Sequence, residues 1–76
     1  MKEKLAEFFA TELAYVKVGL DREKDLKQRS DICWYAMQRS LGASTFAQSC
    51  GMTFEEVEPM YEEYKKELEA LIYEVR

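Results

Sequence analysis

Gly42-Ala43-Ser44-Thr45-Phe46-Ala47-Gln48-Ser49-Cys50-Gly51-Met52-Thr53-Phe54-Glu55-Glu56 is the stretch on which the reading of this chain turns. It offers two glycine stops and two hydroxyl-led helix starts within fifteen residues. Thr53-Phe54-Glu55-Glu56 fits the capping box, in which a Thr hydroxyl and a Glu carboxylate each satisfy a free backbone N–H. Thr45-Phe46-Ala47-Gln48 fits the same pattern, with Ser44 as a rival cap. The reading is a helix ending at Leu41, a short helix over about 45–50 closed by Gly51, and a last helix opening at Thr53.

Working outward, Leu5, Phe9, Leu13, Val16 and Leu20 step by three or four and form one helical stripe. This predicts a first helix over about 2–18, with Gly19 as its stop. A second helix over about 22–41 follows, with Asp21 as the candidate N-cap. Its apolar residues, among them Ile32, Trp34, Tyr35 and Ala36, point in every direction. Either it is the central helix, or Trp34 or Tyr35 reaches a second chain. In the last helix Val57, Tyr61, Tyr64, Leu68, Leu71 and Val75 form a heptad seam. Pro59 falls early in it, so a kink or a restart there is expected. The fold class is therefore all-α: one small domain over 1–76, with four helices, a corner formed by the third and fourth, and a long C-terminal helix.

The chain has 76 residues, 47% hydrophobic and 34% charged, a composition that folds. No histidine is present, which removes the commonest general acid–base group. Without one, Cys33 and Cys50 have no activating base. Lying seventeen residues apart with no CxxC pattern, they do not suit zinc either. Both are expected to be reduced and buried as small hydrophobes. No glycine-rich phosphate loop occurs, and the acidic residues show no calcium-loop pattern. The expectation is a non-enzyme with no cofactor, no metal and no small-molecule substrate. Charges interrupt the N-terminal residues, and the longest apolar run, residues 32–37, is far below the roughly 20 needed to span a bilayer. A soluble, cytoplasmic protein with no membrane partner is expected.

The net charge of −4 is unevenly placed. Residues 1–16 carry −1, residues 17–52 carry +2, and residues 53–76 carry −5. The acidic last element, with Glu55, Glu58 and Glu62 recurring every three or four residues, is one candidate partner surface. Met60, Tyr64, Trp34 and Tyr73 are the candidate anchors beside it, for a protein partner or for a homodimer; the alternative is that they are buried within the monomer, the heptad seam then being intramolecular core. The alternatives for the carboxylates are helix-dipole complementation, with Glu62 paired to Lys66, or a metal site.

Residues 43–62 resemble a helix-turn-helix unit of the tri-helical superfamily. The resemblance rests on Phe46, Ala47, Cys50, Gly51, Met52, Val57 and Met60, which occupy its packing and turn positions. It implies a corner with a small residue at the helix crossing and a glycine in the turn. It also implies DNA reading from the start of the second helix, where this chain places Thr53, Phe54, Glu55, Glu58, Pro59 and Glu62. None is basic. The supporting contacts would be Lys24, Lys27, Arg29, Arg39, Thr45, Lys65 and Lys66.

Two functions follow. The first is a regulatory protein-interaction module acting through its acidic, aromatic last helix. In style it resembles small accessory or inhibitor proteins of phage and mobile elements, anti-CRISPR-type inhibitors among them. The second is a dimeric helix-turn-helix transcriptional regulator that binds DNA, nucleic acid being the less favoured partner on this charge balance.

Overall fold

The structure is a computed structural model and describes residues 1–74. The described residues form three helices: α1 (Lys2–Asp21), α2 (Leu26–Ser49) and α3 (Phe54–Ile72). No strand occurs among the described residues. The fold is all-α as expected, but three helices replace the expected four.

The difference lies at Gly42. α2 runs unbroken through it for 24 residues. An interior glycine disfavours helix by about 1 kcal/mol relative to alanine, and burial along the rest of α2 outweighs that. Arg29, Cys33, Ala36, Ser40, Ser44 and Ala47 form its buried face, at steps of three and four. The Ser44 and Thr45 hydroxyls that looked like caps turn back along the helix, as does that of Ser40. Ser40 and Ser44 donate to the carbonyls four residues earlier, each at 2.8 Å, and Thr45 donates to Leu41 O at 3.0 Å. No new helix starts there, because the backbone N–H groups that a cap would satisfy are already bonded within the unbroken α2.

The small residues on that face let α1 and α3 lie close against α2. The bulk of the core comes from those two flanking helices: Leu5, Phe9, Val16 and Leu20 of α1, with Val57, Tyr64 and Leu68 of α3. Leu13 is half-buried, and Val75 of the expected seam lies outside the described residues. The Tyr64 ring stacks on Phe9 at 4.9 Å and 17°.

The connections also correct the sequence reading in part. α1 passes Gly19 and ends at Asp21. Asp25, not Asp21, caps α2, its Oδ1 accepting from the N–H groups of Lys27 and Gln28 at 2.9 and 3.4 Å. The α2–α3 turn follows the reading. Gly51 has φ 106°, Gly51 N–H bonds Gln48 O, and Met52 N–H bonds Ala47 O, both at 3.1 Å. This is a Schellman ending, closed by the buried pair Ala47 and Met52. Thr53 opens α3 with the full capping box: Glu56 N–H to Thr53 Oγ1 at 3.2 Å, and Thr53 N–H to Glu56 Oε1 at 3.0 Å. α3 then runs through Pro59 without the expected restart.

Candidate functional site

The sequence-derived candidates divide into groups that the fold exposes and groups that it uses internally. Glu55, Glu58 and Glu62 are all exposed on α3. Spaced three and four apart, they share one face of the helix. None forms an ion pair: among the described residues the salt bridge is Arg39–Glu12, and the expected Glu62–Lys66 pair is not made. Phe54, 58% exposed, begins the same helix beside them. The resemblance placed Phe54 among the DNA-reading positions, but nothing in the sequence marked it as apolar contact area for a protein partner.

Tyr64, expected as a partner anchor, is buried to 3% and stacked in the core, so it is not available to a partner. Its hydroxyl lies deep beside Ser40 without a hydrogen bond of acceptable geometry, Ser40 giving its own proton to Ala36 O. Burial pushes the phenol above its usual range, partly offset by Ser40. Met60 is half-buried and lines a shallow groove with Ala6, Ala10 and Leu13. Tyr73 and Trp34 are exposed, and the Trp34 ring meets Tyr35 edge-on at 5.2 Å.

The candidate cations fare differently from one another. Lys24, Lys27, Lys66, Thr45 and Thr53 are exposed and Lys65 half-buried. Thr53 is engaged in the capping box and Thr45 in its back-bond to Leu41. Arg39 grips Glu12 of α1 with Nε and Nη2, at 3.0 to 3.2 Å, and these bonds hold its guanidinium further toward the charged form. Arg29 is wholly withdrawn, at 3% exposure. It donates through Nε to Ile72 O, through Nη1 to Leu20 O and Glu23 O, and through Nη2 to Leu71 O and Glu74 O. All five of its N–H groups are thereby used. They hold the carbonyl ends of α1 and α3, where the macrodipoles favour a cation. An open groove over this point is lined by Lys17, Leu20, Arg22, Lys24, Glu67 and Ala70, and Arg29 has no donor left to offer it.

Of the thiols, Cys33 is buried and Cys50 is exposed in the turn, against the expectation that both are buried. Burial raises Cys33 above its usual range, with Arg29 pulling the other way. No group of three His, Cys, Asp or Glu side chains among the described residues is placed to hold a metal ion. Among the described residues no helix is long and apolar enough to cross a membrane.

In the α2–α3 corner, Ala47, Met52 and Val57 are buried and Met60 half-buried, while Phe46 and Cys50 are exposed. The helix before the turn is the end of the long α2, not a short separate one. No protein-family model, no curated protein and no solved structure matches this chain.

Proposed function

We propose that this chain is a non-catalytic interaction module, binding a protein partner through the exposed face of α3. The observation that carries the proposal is the row Glu55, Glu58 and Glu62, exposed, co-facial and without a cationic partner. Unpaired carboxylates on a rigid helix present a preorganised negative surface, and a basic protein patch complements it. Exposed Phe54 at the start of the row supplies apolar contact area. The same row opposes DNA phosphates at the point where a helix-turn-helix corner would dock. Arg29 and Arg39, two of the cations that would offset it, are engaged elsewhere in the fold. The corner then serves as a scaffold, and a regulatory role of the phage-accessory or inhibitor kind fits this reading.

Fluorescence anisotropy on mixed-sequence duplex DNA, at low and then moderate salt, separates this from DNA binding. No binding at low salt is the expected result. Binding that falls steeply with salt overturns the proposal in favour of a DNA-binding regulator. In parallel, the wild-type chain and an E55K/E58K/E62K variant serve as baits under the same conditions. The wild type should retain a partner that the variant loses; equal retention by both removes the acidic face from the account.

A further inference from the structure

A second surface, on α2, is built from residues other than the acidic face, and meets it only at its C-terminal end, beside Glu55 and Glu58. Between Asp31 and the turn, α2 carries a single charge, Arg39, and that is tied to Glu12. Its solvent side instead exposes Trp34, Tyr35, Leu41 and Phe46, each by about half or more of its area. The small Cys33, Ala36, Ser40 and Ser44 face inward while these large residues face out. That is the reverse of what a solvated helix requires.

Gly42 lies among them on the exposed side, within regular helix. A Cβ added there would meet nothing within 4 Å. The monomer therefore supplies no packing reason for a residue that weakens helix, whereas a second backbone approaching closely would supply one.

From these observations we infer that two copies of this chain associate through the outer face of α2, the two helices antiparallel and crossing near Gln38–Gly42. The area suits a second copy. Aromatic side chains carry roughly 150–250 Å² each, so the four large residues alone present about 400 Å². That is half of the roughly 800 Å² each partner contributes to a standard interface, the intervening Gln38, Gly42 and Thr45 adding to it.

Charge selects the orientation. Lys24 and Lys27 lie at the α2 N-terminal end, interleaved with exposed Asp25 and Asp31, and Glu55 and Glu58 lie just beyond its C-terminal end. In an antiparallel pair Lys27 stands about 20 Å from the crossing, level with the start of α3 in the second copy. Opposite charges then meet at both ends, and the helix dipoles also oppose. A parallel pair would set Lys27 on Lys27 and Glu55 on Glu55.

Sedimentation equilibrium of the purified chain from about 10 to 500 µM tests this with no other partner present, so it stands or falls separately from the acidic-face reading. A concentration-dependent rise from the 9.0 kDa of one chain to twice that mass is expected. A constant single-chain mass overturns the proposal. Gly42→Arg should leave helicity by circular dichroism unchanged, since its Cβ points into open space, and weaken association at least tenfold. A fully helical Gly42→Arg variant that still pairs like the wild type rules out this face; Trp34→Glu provides the same test at a second position. Lys27→Glu and Glu55→Lys should each weaken pairing and together restore it. Failure of the double variant to recover overturns the antiparallel arrangement.

Discussion

The guanidinium of Arg29 donates from Nη2 to the carbonyl oxygen of Leu71 at 2.6 Å, across 42 residues of sequence. With its four companion bonds it joins the ends of α1 and α3 to the first turns of α2. The last carbonyls of a helix have no partners within it. Here one buried cation satisfies those of two helices at once, and the helix dipoles replace a carboxylate as the counter-charge.

Arg29→Ala should cost about 3 kcal/mol or more, because buried carbonyls lose charge-assisted bonds. Arg29→Lys should recover only part, since an ammonium has three donors where the guanidinium places five in a plane. Urea denaturation of both variants measures this. A loss under about 1 kcal/mol for Arg29→Ala would mean that water replaces the guanidinium without penalty.

Gly42→Ala should stabilise the isolated chain by roughly 0.5–1 kcal/mol, since the position is helical and the added methyl group meets no neighbour. The melting temperature at low protein concentration is the measurement. A decrease would show that the backbone there is not regular helix.

Tyr64→Phe should be neutral or stabilising by up to about 1 kcal/mol, because the hydroxyl it deletes is buried without a hydrogen bond. In the wild type the phenol is raised by burial in the folded state. The unfolded chain therefore loses this proton at lower pH than the folded one. The contribution to stability is complete below the ordinary tyrosine range and is lost as pH rises through and beyond it. Tyr64→Phe should flatten that alkaline fall, which chemical denaturation at pH values from about 8 to 11 would reveal.

Thr53→Ala should cost about 1 kcal/mol through loss of the α3 cap. The Thr53 backbone N–H and then its hydroxyl hold the Glu56 carboxyl below its usual range. This contribution is present above the ordinary carboxylate range and disappears as pH falls through the lowered value. The stability gap between wild type and Thr53→Ala should accordingly narrow on acidification. An unchanged gap would indicate that the Thr53 hydroxyl adds nothing to the hold on Glu56, the backbone N–H bond being common to both proteins.

The two thiols should differ in reactivity toward a maleimide or iodoacetamide. Exposed Cys50 should be modified at once, and buried Cys33 only on unfolding. Mass spectrometry of a timed reaction distinguishes them; rapid double labelling would mean that the α2 core face opens readily.

Sequence by itself determined the helical class, the stripe of α1, the Gly51 turn and the Thr53 capping box. These rest on local rules: periodicity, a left-handed turn residue, and a hydroxyl three residues from a carboxylate. The exposed carboxylates of α3 were legible for the same reason, since spacing alone puts them on one face. Tertiary structure decided the rest. Gly42 and Ser44 read as a break only while the burial of Ser40, Ser44 and Ala47 is unknown. The core needed small residues on α2 so that α1 and α3 could close upon it, and that packing outweighed a local helix stop. The same packing turned Tyr64 inward and left Trp34 and Tyr35 outside. Arg29 was the least legible, because its five partners are backbone carbonyls, present at every position and marked by no side chain. Only the convergence of two helix ends on one point gave that arginine its place.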